Sequence, residues 1–154
     1  MGLLATIQSD IETWLEAQDF FKPDSGVEIP VISEDAGDVE NQIEIAVSSI
    51  GACCIVMAPK GAGAAQNASL MFSELEVRVR VIELVEINRS GSGTGQPALL
   101  ILEAVAWFLH GFKMPTALGT LVFVNFDRVD GDALIYDAIF KTRGGIDAAP
   151  DRQT

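Results

Sequence analysis

The sequence is poor in the residues from which catalytic and metal sites are made. Among its 154 residues there is one histidine, and its two cysteines, Cys53 and Cys54, are neighbours. A single histidine confines any Ser-His or Cys-His pair to His110, and no G-x-S-x-G elbow supplies a serine. Two cysteines and one histidine at these spacings do not make a zinc site. Adjacent residues of an extended strand point to opposite faces, so the cysteine pair excludes a disulfide framework and reads as two buried small apolar residues in a reducing compartment. Basic residues are scarce as well: Lys+Arg 10 against Asp+Glu 22 leaves a net charge of -12 and a pI of about 4.3. A surface that acidic repels phosphate backbones and anionic lipid, which argues against nucleic-acid and membrane-surface roles. Long apolar runs are missing too. The longest, Ala98 to Leu109, contains Glu103 and falls well short of the roughly 20 residues that cross a bilayer. Met1 to Ile7 lacks the basic lead and apolar run of a signal peptide, and Asp10 and Glu12 follow at once, so secretion is not expected.

What is present is apolar. The chain is 49% hydrophobic and 21% charged, with a mean hydropathy of +0.30. That is enough to fill one core, and it is high for so acidic a chain, which points to apolar surface reserved for a partner subunit. Self-assembly is the first functional expectation.

Leu3, Leu4, Ile7, Ile11, Trp14 and Leu15 recur at helical spacing, and the turn cluster Pro23 to Gly26 ends that helix. Val27 to Ile32 reads as a short edge strand, since Pro30 cannot donate to a ladder. A second helix begins at Asp38 and ends at Gly51, placed for a left-handed cap. Ala52 to Ala58 reads as a strand buried on both faces. Pro59 to Ser69, rich in Gly and Ala, reads as a mobile loop or arm. From Ser73 to Leu84, Leu75, Val77, Val79 and Val81 alternate with Glu74, Glu76, Arg78 and Arg80, a strand with one core face and one charged face. After a second flexible loop, Asn88 to Gly95, Pro97 opens a helix that is apolar nearly all round. Leu121 to Phe126 and Leu134 to Lys141 form a hairpin turned by Asp130, Gly131 and Asp132. The order predicts an α+β fold: a mainly antiparallel sheet of about four to five strands with helices packed on one face, a single domain over 1–143 and a disordered tail over 144–154.

No motif in this chain carries a reaction. Gly91, Gly93 and Gly95 sit where a phosphate loop would, but Gly95 is followed by Gln96 rather than Lys, and the glycine spacing is not that of a dinucleotide fingerprint. Lys60 precedes the glycines of its own loop instead of following them. Asp127, Asp130 and Asp132 lack the twelve-residue order of a calcium loop and read as turn chemistry. His110, next to Gly111, reads as a helix cap or packing residue. No cofactor or metal is expected. The charged ladder remains open between a solvated face and a strand lining a subunit interface or channel.

The N-terminal helix, the valine strand running into Val85, Glu86, Ile87, Asn88 and Arg89, the Thr94-Gly95 loop, the apolar helix ending Leu109-His110, and the closing hairpin together resemble the tail-terminator or tail-completion proteins of tailed bacteriophages and prophages, Mu-like contractile-tail phages among them. The resemblance spans roughly Leu3 to Arg143. It implies a non-enzymatic virion-assembly protein, made in the bacterial cytoplasm, that forms a ring, commonly a hexamer, on the end of the tail tube. Such a ring stops tube polymerisation and offers the surface to which the head joins. Its partners would be copies of itself, the tail tube protein, and a head-completion or sheath protein. Candidate subunit or tube contacts are Glu74, Glu76, Arg78, Arg80, Trp107 and Phe108; candidate mobile partner-binding loops contain Lys60, Gly61, Gly63, Arg89, Gly93 and Gly95. The competing expectation is a small enzyme or nucleotide-binding module using residues 88–95. An adaptor that adds a peptide strand at the edge near Val27 to Ile32 is a third, weakened by Pro30.

Overall fold

The computed structural model describes residues 2–66, 69–115, 119–143 and 146–147. Leu3, Ile7, Ile11 and Leu15 form the buried stripe of α1 (Leu3–Glu16). After the turn comes β1 (Val31–Ser33), an edge strand that starts just past Pro30. Helix α2 (Val39–Ser49) gives way to Gly51, whose φ of +88° is a left-handed conformation that glycine adopts without a Cβ penalty. Then follow β2 (Ala52–Val56), β3 (Lys60–Gln66), β4 (Ser69–Glu83), a single helical turn α3 (Val85–Asn88), α4 (Ala98–Leu109), β5 (Thr120–Val129), β6 (Leu134–Arg143) and the short β7 (Ile146–Asp147).

The sheet runs β1-β2-β4-β6-β5, with β3 and β7 also paired to β4. Among the described residues only β1 and β2 run parallel, and every other pairing is antiparallel. Strand β4 is the spine. Its second half is flanked by β2 and β6, and its first half continues outward between β3 and β7. Leu75, Val77, Val79 and Val81 point from β4 into the main core, with Ala138 and Phe140 of β6 beside them and α1 and α4 above. Burial of this apolar face is the dominant stabilising term, at about 25 cal/mol per Å² removed from water.

The α+β class and the mainly antiparallel sheet agree with the order of elements read from the sequence. Three details differ. The helices do not share one face: α1 and α4 cover one side, while α2 packs on the other through Val39, Ile43, Ala46 and Val47 against Ile32, Cys53, Ile55 and Ile82. The reason lies in β2, which is apolar at all five positions and therefore needs cover on both faces. Of Pro59 to Ser69, read as a loop, Lys60 to Gln66 is a strand paired along β4, and 67–68 lie outside the described residues. Gly and Ala have low strand propensity, so composition hid a strand whose partner supplies the ladder. The tail expected from 144 lies outside the described residues except Ile146–Asp147, which pair with Phe72 and Met71.

Candidate functional site

Helix α4 is apolar almost all round because it serves two surfaces. Ala98, Ile101, Leu102, Val105 and Leu109 are buried, whereas Leu99, Leu100 and Trp107 face outward with 53%, 42% and 81% of their surface exposed. Strand β5 is the last of the sheet path, and the start of its outer edge is tied to the segment after α4. Gly111 donates to the Leu121 carbonyl at 2.8 Å, Leu121 to the Phe112 carbonyl at 3.0 Å, and the Phe123 amide to His110 Nδ1 at 3.0 Å. His110 is the C-cap of α4, its amide bonded to the Ala106 carbonyl at 3.0 Å, and its side chain also anchors the edge strand. Past a bulge between Phe123 and Asn125, the edge from Val124 to Val129 has no further strand beside it among the described residues.

Between this edge and α4 lies a groove of about 1220 Å³, walled by Phe123 and Phe126 from β5, by Leu99, Leu100 and Trp107 from α4, and by Phe20 at one end. Among the described residues, Glu103 is the only acid lining it, and no Lys or Arg does. The α4 wall is pinned from behind: Trp14 donates Nε1–H to the Phe108 carbonyl at 2.8 Å and stacks on Phe112 with ring centroids 4.9 Å apart. Of the two aromatics singled out in the sequence, Trp107 projects outward. Phe108 turns partly inward, edge-on to Phe21 at 6.2 Å. Phe126, which the sequence reading did not select, completes the surface; its signal was its place in an uncharged run, from Met114 to Phe126, at the sheet margin.

The charged ladder occupies the face opposite α1 and α4. Arg80 grips Asp137 of β6 with both prongs, Nε to Oδ1 at 2.8 Å and Nη2 to Oδ2 at 3.1 Å. Arg78 reaches the same carboxylate at 3.5 Å and Glu76 at 3.0 Å. Asp137 is almost wholly buried under these two side chains. Both arginines therefore already have partners in their own chain. Glu74 lies on the same strand, its backbone opposite Ala62.

The loop from Asn88 to Gly95 closes on itself. Buried Asn88 donates Nδ2–H to Glu83 at 2.7 Å and to the Gln96 carbonyl at 2.8 Å, while its Oδ1 accepts from the Thr94 amide at 2.9 Å and from the Thr94 hydroxyl. The Gly95 amide is bonded to the Asn88 carbonyl, and the Gln96 amide to the Thr94 hydroxyl. A Cβ at Gly93 would collide with the backbone of Asn88 and the Ile50 carbonyl, which is why glycine stands there. Glu83, fully buried, accepts two bonds from Arg89 at 2.9 Å and one from the Ala98 amide, at the first residue of α4. Burial by itself would raise its pKa; the donors from Arg89, Asn88 and Ala98 outweigh that and hold its carboxyl below the ordinary range. Three amides that a phosphate would need are thus turned inward, and a protein carboxylate occupies the α4 N-terminus. This geometry weighs against the nucleotide-loop reading. Lys60, Gly61 and Gly63, the other loop candidates, lie in β3 opposite Glu76, Leu75 and Phe72.

Cys53 and Cys54 are buried and unlinked. Burial pushes the Cys53 thiol up to about 12 and the Cys54 thiol higher than its ordinary value as well. Among the described residues, no group of three His, Cys, Asp or Glu side chains is placed to hold a metal ion. No helix of the described residues is long and apolar enough to cross a membrane.

The arrangement is that of an α+β fold with an open apolar groove beside its edge strand. No protein-family model matches the sequence, and no curated protein is similar to it. In its fold, however, the chain is similar to a chain of the "Virion of native gene transfer agent (GTA) particle", with a TM-score of 0.57 at 14% sequence identity, over 94% of this chain and 97% of that one.

Proposed function

We propose that this protein is a structural subunit of a phage-like virion that assembles with copies of itself into a ring, hexameric in the family it resembles, on the end of the tail tube. There it ends tube polymerisation and presents the surface to which the head joins, with the tube protein and a head-completion or sheath protein as neighbours. The observation that carries this reading is the likeness of fold to a virion chain over nearly the full length of both. A match over one lobe would reflect a shared motif; a match over 94% of this chain and 97% of that one reflects the overall topology. The open groove gives the reading a physical basis, since an apolar surface of that kind costs solubility unless a partner covers it. No reaction is assigned to the protein.

Deletion of the gene from a particle-producing strain, followed by electron microscopy of the lysate, tests the proposal. Tails of uncontrolled length and heads without tails are the expected products, with normal tails restored by the intact gene. Normal particles that contain no trace of the chain by mass spectrometry would sink the virion role. Particles that contain it but whose tails keep their length and join heads without it would place it elsewhere in the virion.

A further inference from the structure

The sheet path has two ends, and they are unlike. At β1 the end is closed, since Val31, Ile32 and Ser33 are all buried. At β5 it is open: Val124 to Arg128 are exposed, and past the bulge no further strand of the described residues pairs with them. An open edge carries backbone donors and acceptors at the spacing of one kind of ligand, another extended chain. The bulge also decides which side chains that edge presents. Val124 has no partner in β6, so the alternation resumes one residue late, and Phe126, opposite Ala138, stands on the same face as Phe123, opposite Phe140. Both rings line the α4 groove, while Asn125 and Asp127 flank Phe126 on the other face of the sheet.

The segment Asn125-Phe126-Asp127 is its own complement. Laid antiparallel on a second copy with Phe126 opposite Phe126, it sets the Asn125 amide against the Asp127 carboxylate twice, once on each side of a two-fold axis, with the Cβ atoms of each opposed pair about 4.5–5.5 Å apart. The smallest slip that keeps the faces matched is two residues. In one direction that slip opposes Asp127 to Asp127, and like charges directly opposite disfavour pairing; in the other it sets Phe126 against the bulged Val124. Copies of a molecule of net charge -12 repel across most of their surface, but beside this edge they present Trp107 and Leu100, with Glu103 as the only acid of the groove among the described residues. We infer that the β5 edge from Asn125 to Asp127 pairs antiparallel with the same edge of a second copy, joining the two sheets across a two-fold axis and covering Trp107 and Phe126 of both grooves. Such a contact is isologous and closes at a pair. It is therefore not the repeat of the proposed ring but the form in which the free protein hides its groove, and it stands or falls independently of the virion role.

Disulfide trapping between separately prepared variants tests the contact and its register. Asn125→Cys and Asp127→Cys each replace an exposed side chain, while the native Cys53 and Cys54 are buried and stay silent under mild oxidation. Concentrated wild-type protein should sediment as a pair. An oxidised mixture of the two variants should give a disulfide-linked heterodimer in several-fold higher yield than either variant gives of homodimer alone, because only residues 125 and 127 stand opposite one another. A wild type that stays monomeric at high concentration overturns the inference, as does an associated wild type whose mixed variants give no heterodimer. Homodimers of Asp127→Cys as abundant as the heterodimer overturn the register centred on Phe126 and with it the argument for self-complementarity. Trp107→Glu should keep the wild-type melting temperature, since that side chain is mostly exposed, yet sediment as a monomer; a Trp107→Glu protein that still pairs shows that the groove is not covered. The particle assay reads the virion role separately, whichever way these results fall.

Discussion

Glu83 is a carboxylate with no solvent exposure, and its charge is held by Arg89, Asn88 and the amide of Ala98. Replacing it with Gln keeps the shape but turns two of those donors toward a group that can no longer satisfy them all. Glu83→Gln should therefore cost roughly 1–3 kcal/mol, read as a lowered urea midpoint. The pH dependence has a definite sign. The folded pKa lies below the ordinary 4.5, so the contribution of Glu83 is complete above that value and is lost as the pH falls through its folded pKa. The stability gap between wild type and Glu83→Gln should accordingly be constant at neutral pH and narrow below about pH 4.5; a gap unchanged down to pH 2 would mean the carboxylate is not what the variant removes. The cysteines give a second residue-scale expectation. With the Cys53 thiol pushed up to about 12 and Cys54 raised as well by burial, neither should react with a colourimetric disulfide reagent at pH 8 until denaturant is added. Fast stoichiometric labelling of native protein would show that β2 opens far more easily than its burial implies.

At the scale of elements, the β4–β6 pair is joined by charge as well as by its ladder. Arg80→Glu would set a carboxylate against buried Asp137, where the wild type has a two-pronged bond. Arg80 itself is partly exposed, so the loss should be smaller than for a fully buried pair, about 2–3 kcal/mol. Arg78→Glu should cost less, because Arg78 stands 3.5 Å from Asp137 and divides its contacts with Glu76. Equal, negligible shifts of the urea midpoint for both would show that Asp137 is satisfied without them. The alternation of β4 was legible in the sequence because its valines and charges keep a strict period of two, and the apolar groove wall was legible as a helix with no polar face. Asp137 was not legible: a lone Asp amid Tyr136, Ala138 and Ile139 shows no sign of a partner until β6 is laid beside β4. The β3 strand was hidden for the related reason that its ladder belongs to β4 and its own glycines and alanines say nothing. The same holds for residues 88–95, which read as loose by composition and are closed by the single side chain of Asn88.

At the scale of the whole molecule, net charge sets the conditions under which copies meet. Two copies of a chain of charge -12 repel over a Debye length of about 10 Å at about 0.1 M salt and about 3 Å at about 1 M. A contact made through the apolar groove, which no Lys or Arg of the described residues lines, has few ion pairs to lose, so screening removes repulsion and leaves most of the attraction untouched. Self-association should strengthen as sodium chloride is raised from about 0.1 to about 1 M, measured by sedimentation at fixed protein concentration. If instead the Glu76, Arg78 and Arg80 ladder joined one subunit to the next, the same salt would weaken association, because its attraction is Coulombic. The two interfaces thus predict opposite slopes. Trp107→Glu sharpens the comparison: it puts a charge into the groove and leaves the ladder alone, so it should abolish the salt-strengthened association if the groove carries the contact, and change nothing if the ladder does.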